Sequence, residues 1–106
     1  MSNDDRLQAS RSDPSTWRPD ARIGRSARAV AAEVDGEVLV MNIDRETFFA
    51  LDEIGGKIWR LLEAPISFGH LIQSLSLDYE ADPSTIASEV AAFLDRLMES
   101  DIATRE

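Results

Sequence analysis

The hydrophobic pattern changes period at residue 51, where Thr47-Phe48-Phe49-Ala50-Leu51 runs without a loop into a helical repeat. Upstream, two strand-like runs, 27–34 and 37–43, flank Asp35-Gly36, the dipeptide that best fits a two-residue hairpin turn. Asp44-Arg45-Glu46 supplies a second turn, so residues 47–51 become a third strand. Consecutive antiparallel strands form a meander, which leaves the first and third at its edges.

Beyond residue 51 the spacing is that of helices. Asp52 suits an N-cap and Glu53 the first turn, and Ile54, Ile58, Leu61 and Leu62 fall on one face of a helix over 53–63. Gly55-Gly56 weakens this helix by about 1 kcal/mol per glycine, so close approach by a neighbouring element is expected there. Trp59 lies on the flank of the stripe and is expected in the core. Pro65 interrupts the chain. Ser67 caps a short helix to about residue 75, with Phe68, Leu71, Ile72 and Leu75 apolar. After a loop containing Tyr79, Asp82-Pro83 opens the longest helix, which runs to about residue 100. Ile102 is expected in a short closing segment.

The apolar arc of the last helix spans roughly 160°, wider than the ~100° that a one-sided core contact requires. Ile86, Val90, Phe93 and Leu97 form a bulky flank; Ala87, Ala91, Leu94 and Met98 form a smaller, more adaptable one. The bulky flank reads as core and the other as a groove floor. The alternative is that both flanks pack into different parts of a small core.

With 106 residues, 43% hydrophobic, the chain suits one domain with a real core. Residues 1–21 read as a flexible N-terminal tail and 22–106 as the domain. Trp17 is the tail's one large apolar side chain and is expected to dock loosely on the domain. No apolar run nears the ~18 residues of a membrane span, and no signal peptide opens the chain, so a cytoplasmic protein with no membrane partner is expected. The net charge of −9 is uneven: residues 1–28 carry +2 and the remainder −11. Nucleic acid is a poor partner for so acidic a body, whereas a basic peptide or protein suits it.

Chemistry is scarce. There is no cysteine, and His70 is the only histidine. Asp78-x-Glu80-x-Asp82 has the opening spacing of a calcium loop, but its sixth position is Pro83 and Glu89 falls inside the last helix. Gly55-Gly56 does not follow a phosphate-loop spacing. No enzyme activity, cofactor or metal is expected.

The expected fold is α+β, winged helix-turn-helix-like: a three-stranded antiparallel sheet followed by three helices. Within that order, Val34-Asp35-Gly36, Phe48-Phe49-Ala50-Leu51-Asp52-Glu53-Ile54-Gly55, Ile58-Trp59-Arg60-Leu61-Leu62 and Val90-Ala91-Ala92-Phe93-Leu94-Asp95-Arg96-Leu97 resemble the PqqD-like family. The resemblance covers residues 22–103. Gly24-Arg25-Ser26 and Leu39-Val40-Met41-Asn42-Ile43-Asp44 are most similar to the standalone recognition proteins of lasso-peptide biosynthesis.

The resemblance implies a non-catalytic adaptor that binds the leader segment of a ribosomal precursor peptide and presents it to maturation enzymes. The leader would add as a strand beside Thr47, Phe48, Phe49, Ala50 and Leu51 and lie against Ala87, Val90, Ala91, Leu94 and Met98. It further implies a leader peptidase and a cyclase on separate chains as partners, and leaders offering a tyrosine, a proline and an aliphatic side chain to apolar pockets. Phe49 is expected to face the core with Thr47 and Leu51, and Phe48 to cover a leader side chain. The alternatives are a winged-helix DNA-binding transcriptional regulator, although the last helix has Arg96 as its only cation, and a small hydrolase built around His70.

Overall fold

Asp35 and Gly36 both adopt positive φ, 55° and 85°, the conformation a tight hairpin needs at its two central residues. They join β2 (Ala29–Val34) to β3 (Glu37–Asn42) in a computed structural model that describes residues 17–106. The expectations for residues 1–16 fall outside the described residues. A second reversal leads into β4 (Thr47–Leu51), and the sheet order is β2-β3-β4, with β2 and β4 as its edges. This is the expected meander. Its first strand starts two residues late, because Ser26 holds the chain in a turn: its carbonyl accepts from the Ala29 N–H at 3.1 Å and its hydroxyl from the Arg28 N–H at 3.1 Å.

The three helices are α1 (Glu53–Leu61), α2 (Phe68–Asp78) and α3 (Pro83–Glu99). Each begins at the expected cap. The Asp52 carboxylate accepts from the Gly55 N–H at 2.7 Å, the Ser67 hydroxyl from the His70 N–H at 3.1 Å, and Asp82 from the Ser84 N–H at 3.4 Å. α2 extends three residues past the expected end, since no breaker precedes Pro83; the Tyr79 N–H still bonds the Leu75 carbonyl. α3 ends in a Schellman turn: Asp101 takes φ 55°, its N–H reaches the Met98 carbonyl, and the Ile102 N–H reaches the Leu97 carbonyl at 2.8 Å. Ile102 and Leu97 are both buried beside this turn.

A second small sheet was not expected. β1 (Arg22–Arg25) lies between β5 (Ile66–Ser67) and β6 (Ala103–Arg105), antiparallel to both. It ties the beginning, middle and end of the domain together. Strands of two to four residues carry no periodic signal; long-range pairing alone defines them.

The core is built from Val38, Val40 and Leu51 of the larger sheet, Ile58, Trp59 and Leu62, Leu71 and Leu75 of α2, and one side of α3. Trp17 is part of it. Its ring stacks on Phe68 with centroids 5.4 Å apart, Arg105 lies 4.1 Å over its other side, and its indole N–H donates to Asp95 at 3.1 Å. The contact is tighter than loose docking. Residues 19 and 21 add backbone bonds, the Gly69 N–H to the Pro19 carbonyl and the Phe68 N–H to the Ala21 carbonyl.

Candidate functional site: a free sheet edge beside a cleft

The edge strand β4 owes its placement to Asn42, which is fully buried. Its side-chain amide donates to the Ser100 and Asp101 carbonyls at 3.0 and 2.9 Å. Its side-chain oxygen accepts from the Asp44 and Arg45 N–H groups at 2.8 and 3.0 Å. One residue thus clamps the β3–β4 turn to the end of α3. Arg45 reinforces the clamp by donating to the Glu99 carbonyl at 2.7 Å. β4 therefore begins beside the C-terminus of α3.

Which backbone groups of β4 are free follows from the turn. Glu46 sits at φ 56° and its N–H bonds the Asn42 carbonyl at 2.9 Å, a bulge opposite Asn42 that leaves Asn42 facing Thr47 as a hydrogen-bonded pair. Antiparallel pairs alternate, so Thr47, Phe49 and Leu51 direct their backbone groups to β3. Phe48 and Ala50 direct theirs to the outer edge, which no strand pairs among the described residues. Two residues offer two donors and two acceptors to an incoming chain.

Side chains alternate in the same way. Leu51 is buried and Phe49 is half-buried against the core, with Thr47 on the same side, while Phe48 is 65% exposed on the other. The expected division between the two phenylalanines holds.

At the end of β4 the surface opens into a cleft of about 200 Å³. Asp52, Ile54 and Gly55 form one wall, Val90, Phe93 and Arg96 of α3 the other, and Tyr79 with Ala81 closes one end. Gly55 exists for this wall. A Cβ there would lie 3.3 Å from the Phe93 ring and 3.1 Å from the Asp52 carboxylate, so the close approach expected at the glycine pair is that of Phe93. At Gly56 the neighbour is Val38, 3.4 Å away. Arg96 lies 5.9 Å from the Phe93 ring, and Glu89 joins Asp52 in giving the cleft an acidic margin.

Of the α3 positions picked out by the helical wheel, Val90 lines this cleft. Ala87, Ala91, Leu94 and Met98 do not: Ala91 and Leu94 are fully buried, and Ala87 and Met98 pack half-buried against the core. The helix has apolar neighbours on two sides, and the wheel cannot tell which side is sealed. On the small flank Ala91 and Leu94 are sealed, while Ala87 and Met98 stay half-buried. The bulkier Ile86, Val90 and Phe93 border the opening. Ile54, 39% exposed, and Phe93 line the cleft without having been among the expected positions; the signal for Phe93 was the glycine pair it packs on.

His70 is exposed at the first turn of α2, and among the described residues no three carboxylate, imidazole or thiol groups converge as metal ligands do. No helix of the described residues is long and apolar enough to cross a membrane.

Three solved structures share this fold. "TbiB1 in Complex with the TbiA(beta) Leader Peptide" superimposes with a TM-score of 0.71 at 28% identity, covering 76% of this chain and 93% of that one. "Lasso peptide synthetase B1 complexed with the leader peptide" gives 0.69 at 18% identity, covering 77% and 96%. The PqqD truncation of Methylobacterium extorquens PqqCD, described as a stand-alone recognition element for ribosomally synthesized and post-translationally modified peptides, gives 0.69 at 16%, covering 88% and 99%. No curated protein matches the chain in sequence. The family model for coenzyme PQQ synthesis protein D (PqqD) matches residues 37–102, more than half of the chain and the span from the hairpin through α3, so the chain belongs to the PqqD family.

Proposed function

We propose that this protein is a non-catalytic adaptor that captures the leader segment of a ribosomal precursor peptide. The leader adds as a strand to the outer edge of β4 and seats apolar side chains in the adjoining cleft. The observation that carries the reading is the juxtaposition of an unpaired edge at Phe48 and Ala50 with a concave apolar wall of Ile54, Val90 and Phe93. The leader-bound structures similar to this chain support it.

Energetics explain why both surfaces are present. Four backbone bonds, each worth a net ~0.5–1.5 kcal/mol, do little more than offset the ~2–5 kcal/mol of ordering a flexible peptide. Micromolar to nanomolar affinity needs about −8 to −12 kcal/mol. The balance comes from apolar anchors at about 1.5–3 kcal/mol each when fully buried. Backbone pairing fixes the register, and the cleft selects the sequence.

The partners of this function are the precursor leader and, on separate chains, a leader peptidase and a cyclase. The DNA-binding alternative finds no support. Arg96 is the only cation of α3, it lies over Phe93 in the cleft wall, and the similar structures bind peptides.

Ala50→Pro tests the reading. Proline removes an N–H that β3 does not use, so circular dichroism should report an intact fold while fluorescence polarisation with the labelled cognate leader shows binding lost. Unchanged affinity in the folded variant would rule out strand addition at this edge.

A further inference from the structure

Two opposite charges flank the aromatic wall of the cleft. Glu89, Phe93 and Arg96 all line it and share one face of α3, at i, i+4 and i+7. From the helical rise, Glu89 lies about 6 Å along the axis from Phe93, and Arg96 about 4.5 Å to the other side. The two charges are therefore about 10 Å apart, too far to pair with each other. Both side chains are exposed. Among the described residues Glu89 forms no ion pair, and the Arg96 guanidinium has only its place 5.9 Å over the Phe93 ring. The other carboxylate of the cleft, Asp52, is committed to the Gly55 N–H as the cap of α1. Arg96 also suits the last turn of α3, where a cation complements the helix dipole; Glu89, in the middle of the helix, gains nothing of that kind.

The direction of β4 turns these two charges into a pattern. Asn42 fixes the start of β4 beside Ser100 and Asp101, and its far end leads into Gly55, the neighbour of Phe93. β4 thus runs against α3, from the Arg96 side towards the Glu89 side. A strand on the free edge follows the same line, and the side chains it places opposite Thr47, Phe49 and Leu51 share their inward face. Such side chains recur about every 6.8 Å. When one of them rests on Phe93, its neighbours on that face fall near Glu89 on one side and Arg96 on the other.

We propose that Glu89 and Arg96 select the leader by charge, taking a lysine or arginine beside Glu89 and an aspartate or glutamate beside Arg96. The larger sheet is antiparallel throughout, and antiparallel pairing is slightly the more stable. The segment therefore reads basic–x–apolar–x–acidic from its N-terminal end. The proposal rests on the leader-binding reading above and adds to it the chemistry of the two positions beside the apolar anchor. Exposed pairs contribute little strength, but a leader with these charges exchanged meets two repulsions in place of two attractions. The anchor holds; the charges choose.

The test uses the full chain and two fluorescent synthetic peptides. One is the leader of the precursor encoded beside this chain's gene, with its apolar anchor located by alanine scanning; in the other the two flanking charges are exchanged. In fluorescence polarisation at low salt, the wild type should bind the exchanged peptide about tenfold more weakly. Glu89→Arg with Arg96→Glu should bring that peptide to within about threefold of the native pair. The preference should shrink as ionic strength rises. Glu89→Gln with Arg96→Gln should bind the two peptides within about twofold of each other, and it carries the test if circular dichroism shows the reversed pair unfolded. Equal binding of both peptides by the wild type would overturn the proposal, as would a preference that survives in the glutamine variant. A leader whose anchor is not flanked by these charges would do the same. A wild type that binds neither peptide sinks the adaptor reading and this proposal with it, whereas the other outcomes sink the charge selection alone.

Discussion

Asn42 is fully buried, yet all its side-chain hydrogen-bonding groups that face the turn and the end of α3 are used, two as donor and two as acceptor. Asn42→Ala would leave two carbonyls and two N–H groups without these partners. At a net ~0.5–1.5 kcal/mol per bond, the expected loss over the four bonds is about 2–6 kcal/mol, read as a lower urea midpoint with an unchanged slope. Nothing in the local sequence announces this role, because asparagine near a turn is ordinary. Its partners at residues 100 and 101 meet it only in the folded chain. Asp35-Gly36 is the opposite case, since both residues can take the positive φ of the turn without help from elsewhere.

At the scale of elements, the contact between α1 and α3 joins stability to recognition. Gly55→Ala raises helix propensity by about 1 kcal/mol, but its methyl group meets the Phe93 ring and the Asp52 cap at distances that require one of them to shift. The expected outcome is a stability change below ~1 kcal/mol in thermal melts, because gain and strain oppose. Leader affinity should fall about fivefold, since Phe93 forms the cleft wall and ~1 kcal/mol of anchoring is lost with its displacement. α3 shows why the wheel went only part of the way. A 160° arc correctly signals neighbours on two sides, but Ala91 and Leu94 are sealed while Val90 and Phe93 border the opening. Which flank stays open depends on where β4 and α1 lie, and that is tertiary information.

Across the whole molecule, the small β5-β1-β6 sheet and Trp17 close the domain around its two hydrophobic layers. Trp17 is 3% exposed, stacked on Phe68 and capped by Arg105. Trp17→Ala should lower stability by about 3–5 kcal/mol, a large share of the ~5–15 kcal/mol typical of a domain, and a thermal melt would show it. The amino-acid sequence by itself determined the hairpin, the strand at 47–51, the three helix starts and the acidic, cysteine-free composition. Each of these is written in neighbouring residues: a turn dipeptide, a cap, a period of alternation. Only the tertiary structure decided the second sheet, the seat of Trp17, the Asn42 clamp and the sealed side of α3. These arise from pairings between residues far apart in the chain, where local pattern has no purchase and packing alone selects which surfaces meet and which stay open.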